Sequence, residues 1–150
     1  MFVSCPVFRK VLCILAFAGL ALVAPAERSE AARITAKVDL SAKTMKVYRD
    51  GRLMHSWRVS TGRRGYRTPT GTYRPKWLKR MHYSTKYDYS PMPYSVFFHR
   101  GYAIHGTNYV SRLGRPASHG CVRLHPRNAA RLFSLIRANG RSNTRIIIRW

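Results

Sequence analysis

Cys121 stands in the run Ser118-His119-Gly120-Cys121-Val122-Arg123, and a second His-Gly pair, His105-Gly106, places His105 16 residues before the cysteine. A cysteine attacks carbonyl carbon as its thiolate, and a neighbouring imidazole is the usual acceptor for the proton. Spacing alone leaves the base open. In extended backbone His119 shares a face with Cys121 and could reach it, and His105 lies within plausible folding distance. Two imidazoles in a strongly basic chain predict a thiolate favoured below the free-thiol value of about 8.5. The same three side chains match a His2Cys zinc set, but no fourth ligand or orienting carboxylate accompanies them. The chemistry needs no cofactor. An isolated cysteine is most often an inert buried thiol; glycine and histidine neighbours argue for a nucleophile here.

The chain has two other cysteines, Cys5 and Cys13, and both fall in a leader. Arg9-Lys10 form a short basic region, residues 11–24 an apolar run, and Ala24-Pro25-Ala26 a small-residue cleavage site. The run is shorter than the ~20 residues that cross a bilayer as a helix, so no stable membrane span is expected after processing. Residues 1–26 are therefore read as a signal peptide, 27–33 as a short flexible segment and 34–150 as one domain. Export, to the periplasm, leaves Cys121 as the single thiol of the processed chain. An unpaired cysteine in an oxidising compartment is reactive or intermolecular.

The formal charge is +23, or +21 once Arg9 and Lys10 leave with the leader, and most of the cations are arginine. Such a surface seeks polyanions. Nucleic acid is one class, but no zinc-finger spacing, RNP-like aromatic motif or basic heptad helix is present. Acidic cell-wall polymer fits an exported chain better, and no specific nucleic-acid partner is expected. A cationic wall- or nucleic-acid-binding protein is the non-enzymatic alternative.

The elements that must position the site are mostly strands. Residues 34–40, 44–49 and 53–60 alternate in period two, with Asp50-Gly51 as a two-residue hairpin turn. Residues 61–73 are dense in turn formers and lead into another strand. Residues 77–93 carry Trp77, Tyr83, Tyr87, Tyr89 and prolines without a period, which predicts a long aromatic loop acting as a lid or binding wall. Strands follow at 94–98 and 102–106, and a short one at 118–124 would point His119, Cys121 and Arg123 one way and Val122 and Leu124 the other. One helix is clear: Pro126 suits a first position, Ala129, Leu132, Phe133 and Ile136 form a stripe, and Gly140 stops it. Residues 145–150 close the chain as a strand. The class is mainly β, with one docked helix.

These motifs resemble the L,D-transpeptidases with a YkuD-type catalytic domain. The resemblance covers 34–150 and rests on His105-Gly106, Ser118-His119-Gly120-Cys121-Val122-Arg123-Leu124, Ser60-Thr61-Gly62, Thr68-Pro69-Thr70-Gly71-Thr72-Tyr73 and Met92-Pro93-Tyr94. It implies a β-sandwich or barrel-like catalytic domain acting on peptidoglycan stem peptides. Cys121 would attack the carbonyl of the third-position diamino acid and expel the terminal D-Ala. His105 would be the base, its other nitrogen held by a backbone carbonyl such as that of Gly106. Backbone N–H groups of His119, Gly120 and Cys121 would form an oxyanion hole. Gly106, Ser118 and Tyr94 are expected at the substrate, with Arg123 and Arg115 binding its carboxylates; a solvated arginine is the equal alternative for Arg115. The acyl acceptor stays open: a second stem giving a 3→3 cross-link, an outer-membrane protein, a D-amino acid, or water.

Overall fold

The computed structural model describes Met1 and residues 33–150. The expected leader with Cys5 and Cys13, and the 27–33 segment apart from Arg33, lie outside the described residues.

The chain opens as a meander. Strand β1 (Ile34–Asp39) buries Ile34, Ala36 and Val38, and β2 (Thr44–Arg49) buries Met45 and Val47, the inward half of each alternation. Asp50 and Gly51 both take positive φ, 49° and 80°, as a tight hairpin into β3 (Arg52–Arg58) requires. Next come β4 (Thr61–Gly62), β5 (Gly71–Tyr73), β6 (Trp77–Ser84), β7 (Ser90–His99) and β8 (Tyr102–Gly106). After a 3-10 turn at Val110–Arg112, β9 (Pro116–Ser118) and β10 (Val122–Leu124) lead into helix α1 (Pro126–Asn139) and β11 (Thr144–Arg149).

Among the described residues three sheets result, none closed into a barrel. One runs β3-β2-β1-β11-β5, a second β10-β8-β7-β6, and β4 pairs with β9 alone. The last strand, β11, slots between β1 and β5, parallel to β1. Helix α1 has Pro126 in its first turn and His125 as N-cap, whose side chain accepts from the Arg127 N–H at 3.2 Å. Its stripe of Ala129, Leu132, Phe133 and Ile136 shares one core with strands of both larger sheets. The architecture is sandwich-like.

Two expectations need correcting. Residues 77–93 are not a loop: they form β6, a turn and the first part of β7. Strand β6 has no fully buried face, so it shows no apolar alternation to read. Its register is held instead by cross-strand rings, Trp77 stacking on Phe97 at 3.5 Å between centroids. Nor is 118–124 one strand. It breaks at Gly120, whose φ of +111° no extended segment can hold, and only Val122–Leu124 pairs in the second sheet.

Candidate active site

Strands β8 and β10 run parallel, pairing Ile104 with Val122 and His105 with Arg123. Paired residues present their side chains to the same face, so Arg123 lies beside His105. Val122 and Leu124 turn into the core, both wholly buried. His105, His119, Cys121 and Arg123 line a single cleft of about 690 Å³. The wall over them comes from the β6–β7 hairpin, through Trp77, His82, Lys86, Tyr87, Asp88 and Met92. The stretch expected to form a lid or wall thus borders the cleft, as a hairpin.

A small hydrogen-bonded turn presents the thiol. Ser118 is fully buried, accepts from the Gly120 N–H at 3.0 Å and donates to the Cys121 carbonyl at 2.5 Å. Gly120 is needed for space as well as for φ. A Cβ there would stand 2.5 Å from Tyr102 Cε1 and 3.0 Å from the Arg67 carbonyl oxygen. Ser60 braces the turn from behind: its backbone exchanges two bonds with Arg123, and its hydroxyl contacts the Arg112 and Arg115 carbonyls at 2.6 and 3.0 Å.

The two histidines differ in what their nitrogens touch. His105 is buried, and its Nδ1 lies 2.7 Å from the Gly106 carbonyl oxygen. A carbonyl only accepts, so Nδ1 carries the proton and Nε2 keeps its lone pair. Burial holds the ring neutral, lowering its pKa to about 4 against the partial support of the Gly106 bond; Arg123 and His82 push the same way as burial. His119 meets Arg63 Nη2 at 2.8 Å through its own Nε2. A guanidinium only donates, so that lone pair is already engaged. The ring is also held by Tyr87, stacked at 4.1 Å, and by Tyr66 edge-on at 4.6 Å.

Burial pushes the Cys121 thiol up, outweighing the Ala103 backbone hydrogen bond and the nearby Arg123 that favour the thiolate. This overturns the expectation of a lowered thiol. The large positive charge is spread over a solvated surface, whereas the sulfur sits in a recess shared with Met92, Phe97 and Ala103. The resting pair is therefore a thiol and a neutral imidazole.

Other expected site residues fall in different places. Tyr94 packs on Phe133 of α1, ring centroids 5.9 Å apart, and does not border the cleft; its positive φ of 55° turns it toward the helix. Arg115 is exposed and outside the cleft lining, contributing only its carbonyl to Ser60. Gly106 is closed in by Pro93 and Pro126, so its part is the carbonyl that holds His105. Ser118 is turned inward, and the Gly120 N–H is committed to it and withdrawn from the expected oxyanion donors. Tyr87, named in the expected aromatic wall, does line the cleft, while Arg63 and Arg112 line it unanticipated. The two arginines carry no local signal in so basic a chain. Among the described residues no three His, Cys, Asp or Glu side chains converge on a metal-sized site.

Residues 33–148 match the YkuD family model, described as an L,D-transpeptidase catalytic domain. The YkuD protein of Bacillus subtilis is 28% identical over 104 residues, covering 66% of this chain and 58% of the relative. An L,D-transpeptidase structure from Stackebrandtia nassauensis superposes with a TM-score of 0.69 at 28% identity, over 79% of this chain and 56% of that one. L,D-transpeptidase 3 from Mycobacterium tuberculosis, solved with a faropenem-derived adduct, shares the fold at TM-score 0.68 and 22% identity, over 79% of this chain and 61% of that one. The chain spans less than two thirds of the length of each of these relatives.

Proposed function

This chain belongs to the YkuD family of L,D-transpeptidase catalytic domains, and from that premise we propose that it is a peptidoglycan L,D-transpeptidase with Cys121 as its nucleophile. The observation that carries the proposal is the His105 tautomer: Nδ1 tied to the Gly106 carbonyl, Nε2 unprotonated, on the cleft that holds Cys121, the one cysteine among the described residues. In the proposed reaction the Cys121 proton passes to His105 Nε2 as the sulfur bonds to the carbonyl carbon of the third-position diamino acid. The N–H groups of His119 and Cys121 are the donors left for the oxyanion, each worth ~3 kcal/mol of barrier where such donors have been removed elsewhere. Collapse breaks the C–N bond, His105 returns its proton to the departing D-Ala amine, and a thioester remains. An acceptor amine then attacks, loses a proton to His105 and expels the thiolate, which takes that proton back.

The substrate lies outside the cytoplasm, so this reading requires export; the leader over 1–26 would supply it and place the enzyme in the periplasm. Among the described residues no helix is long and apolar enough to cross a membrane. The surface charge would hold the enzyme on acidic wall polymer.

The processed protein, incubated with disaccharide-tetrapeptide, is expected to release D-Ala and gain the donor mass on Cys121. A second stem peptide as acceptor should give a 3→3 dimer. Tripeptide alone would make the enzyme a carboxypeptidase, and transfer only to an added outer-membrane protein would make it an anchoring enzyme. Faropenem should add to the wild type and not to Cys121→Ala. No thioester, no D-Ala release and no adduct from a folded protein would overturn the proposal.

A further inference from the structure

The reaction as written leaves three cations and one carboxylate of the cleft without a task. Arg63 is engaged by His119, but Arg123, Arg112 and Lys86 also line the cavity, facing a single acid, Asp88. Arg123 is the deepest. Its Nε is buried with no hydrogen-bond partner, and its Nη1 reaches only the Ala117 carbonyl, at 3.3 Å. A buried N–H is seldom left so in a folded protein, and Arg123 lines the same cleft as Cys121, two residues further along the chain. Arg112, from the 3-10 turn, and Lys86 and Asp88, from the hairpin tip, are exposed at the rim.

We infer that the cleft selects a stem peptide with all its carboxylates free, matching three anionic groups and one ammonium to Arg123, Arg112, Lys86 and Asp88. The inference rests on the transpeptidase reading and names its substrate class. Such a tetrapeptide carries carboxylates on its γ-linked D-glutamate, on the far end of a diamino-dicarboxylic third residue, and on the terminal D-residue, with one ammonium on the third side chain. Arg123, nearest the scissile bond, takes the terminal carboxylate, where guanidinium and carboxylate pair through two parallel bonds. Arg112 and Lys86 take the two inner ones, and Asp88 the ammonium. Amidation of the two inner carboxylates leaves both rim cations facing neutral groups. A monocarboxylic third residue such as lysine removes one partner.

An exposed charge pair is worth up to about five-fold, so two of them together predict a preference of up to about twenty-five-fold in kcat/KM for the free stem over the doubly amidated one at low salt. The test follows D-Ala release from both stems by mass spectrometry, across a salt series, for wild type and the Arg112→Gln/Lys86→Gln double variant. The expected result is a wild-type preference that fades as the screening length falls to ~3 Å near 1 M salt. In the double variant the rate on the free stem should drop to that on the amidated one. Equal kcat/KM in the wild type, a preference for the amidated stem, or a preference that survives molar salt or the double substitution would overturn this inference while leaving the transpeptidase reading intact. Release from neither stem would overturn both.

Discussion

Acidifying the protein should expose the cost of burying His105 as a neutral ring. The residue is 5% exposed, and burial sets its pKa at about 4 in the folded chain; unfolded, it returns to about 6.5. Between those values the unfolded chain binds a proton that the native site refuses. Stability is therefore fully present above about pH 6.5 and falls as the pH drops through the window toward 4. At about 1.4 kcal/mol per tenfold change in proton activity, the gap amounts to roughly 3 kcal/mol, a large share of the ~5–15 kcal/mol that holds a domain folded. The assay is urea unfolding at pH 7, 5.5 and 4 for wild type and His105→Gln, whose amide N–H can still donate to the Gly106 carbonyl. The wild type should lose about 3 kcal/mol more than the variant across that range, because the other downshifted histidines, His55, His82 and His119, are common to both. Parallel curves from pH 7 to 4 would mean that His105 is not buried as a neutral base, and the tautomer argument would fall with it. The same value places the acid limb of kcat/KM near pH 4.

Alkylation of folded Cys121 should show its inflection above the free-thiol value of about 8.5, since burial pushes the thiol up; an inflection near pH 6 would mean a resting ion pair with a histidine. Gly120→Ala should lower Tm by about 5–15 °C and abolish turnover, because a non-glycine residue at φ +111° carries strain of ~1–3 kcal/mol and its Cβ meets Tyr102; an unchanged melting curve would show that the turn has another conformation. His105→Ala should cost ~10²–10⁴ in kcat and His119→Ala less, since Arg63 already occupies the His119 Nε2; the reverse order in two folded variants would reassign the base.

Strands with one buried face were legible in the sequence because burial writes an alternation into them. Ile34, Ala36 and Val38 in β1, and Met45 and Val47 in β2, were readable for that reason, as was the α1 stripe between Pro126 and Gly140. Strand β6 was not, since its residues cover the cleft and leave neither face dry. The bend at Gly120 was hidden for a different reason. Ser118-His119-Gly120-Cys121 reads equally well as strand or turn until the Ser118 hydroxyl is seen to bond on both sides of it. Tyr94 shows the limit of adjacency in sequence. It follows Met92 and Pro93 toward the site, yet a positive φ turns its ring under α1.

The distinction between the two histidines depends on contacts that spacing could not supply. His119 is nearer to Cys121 in the chain and shares its cleft, so proximity favours it as the base. Its partner decides otherwise: Arg63 is a pure donor, reached from a loop 56 residues away, and it occupies the lone pair that a base must offer. His105 meets a pure acceptor one residue along, the Gly106 carbonyl, which forces the proton onto Nδ1 and frees Nε2. A carbonyl in place of a carboxylate also suits the buried site. It orients the ring without placing a second charge beside the thiol, which carries negative charge in the proposed transition state. The Arg63 contact gives His119 a different use, as the pivot on which Tyr87 of the hairpin and Tyr66 of the 63–70 loop meet over the cleft. In the proposed mechanism one imidazole is thereby left free to move a proton, and the other is fixed as part of the wall.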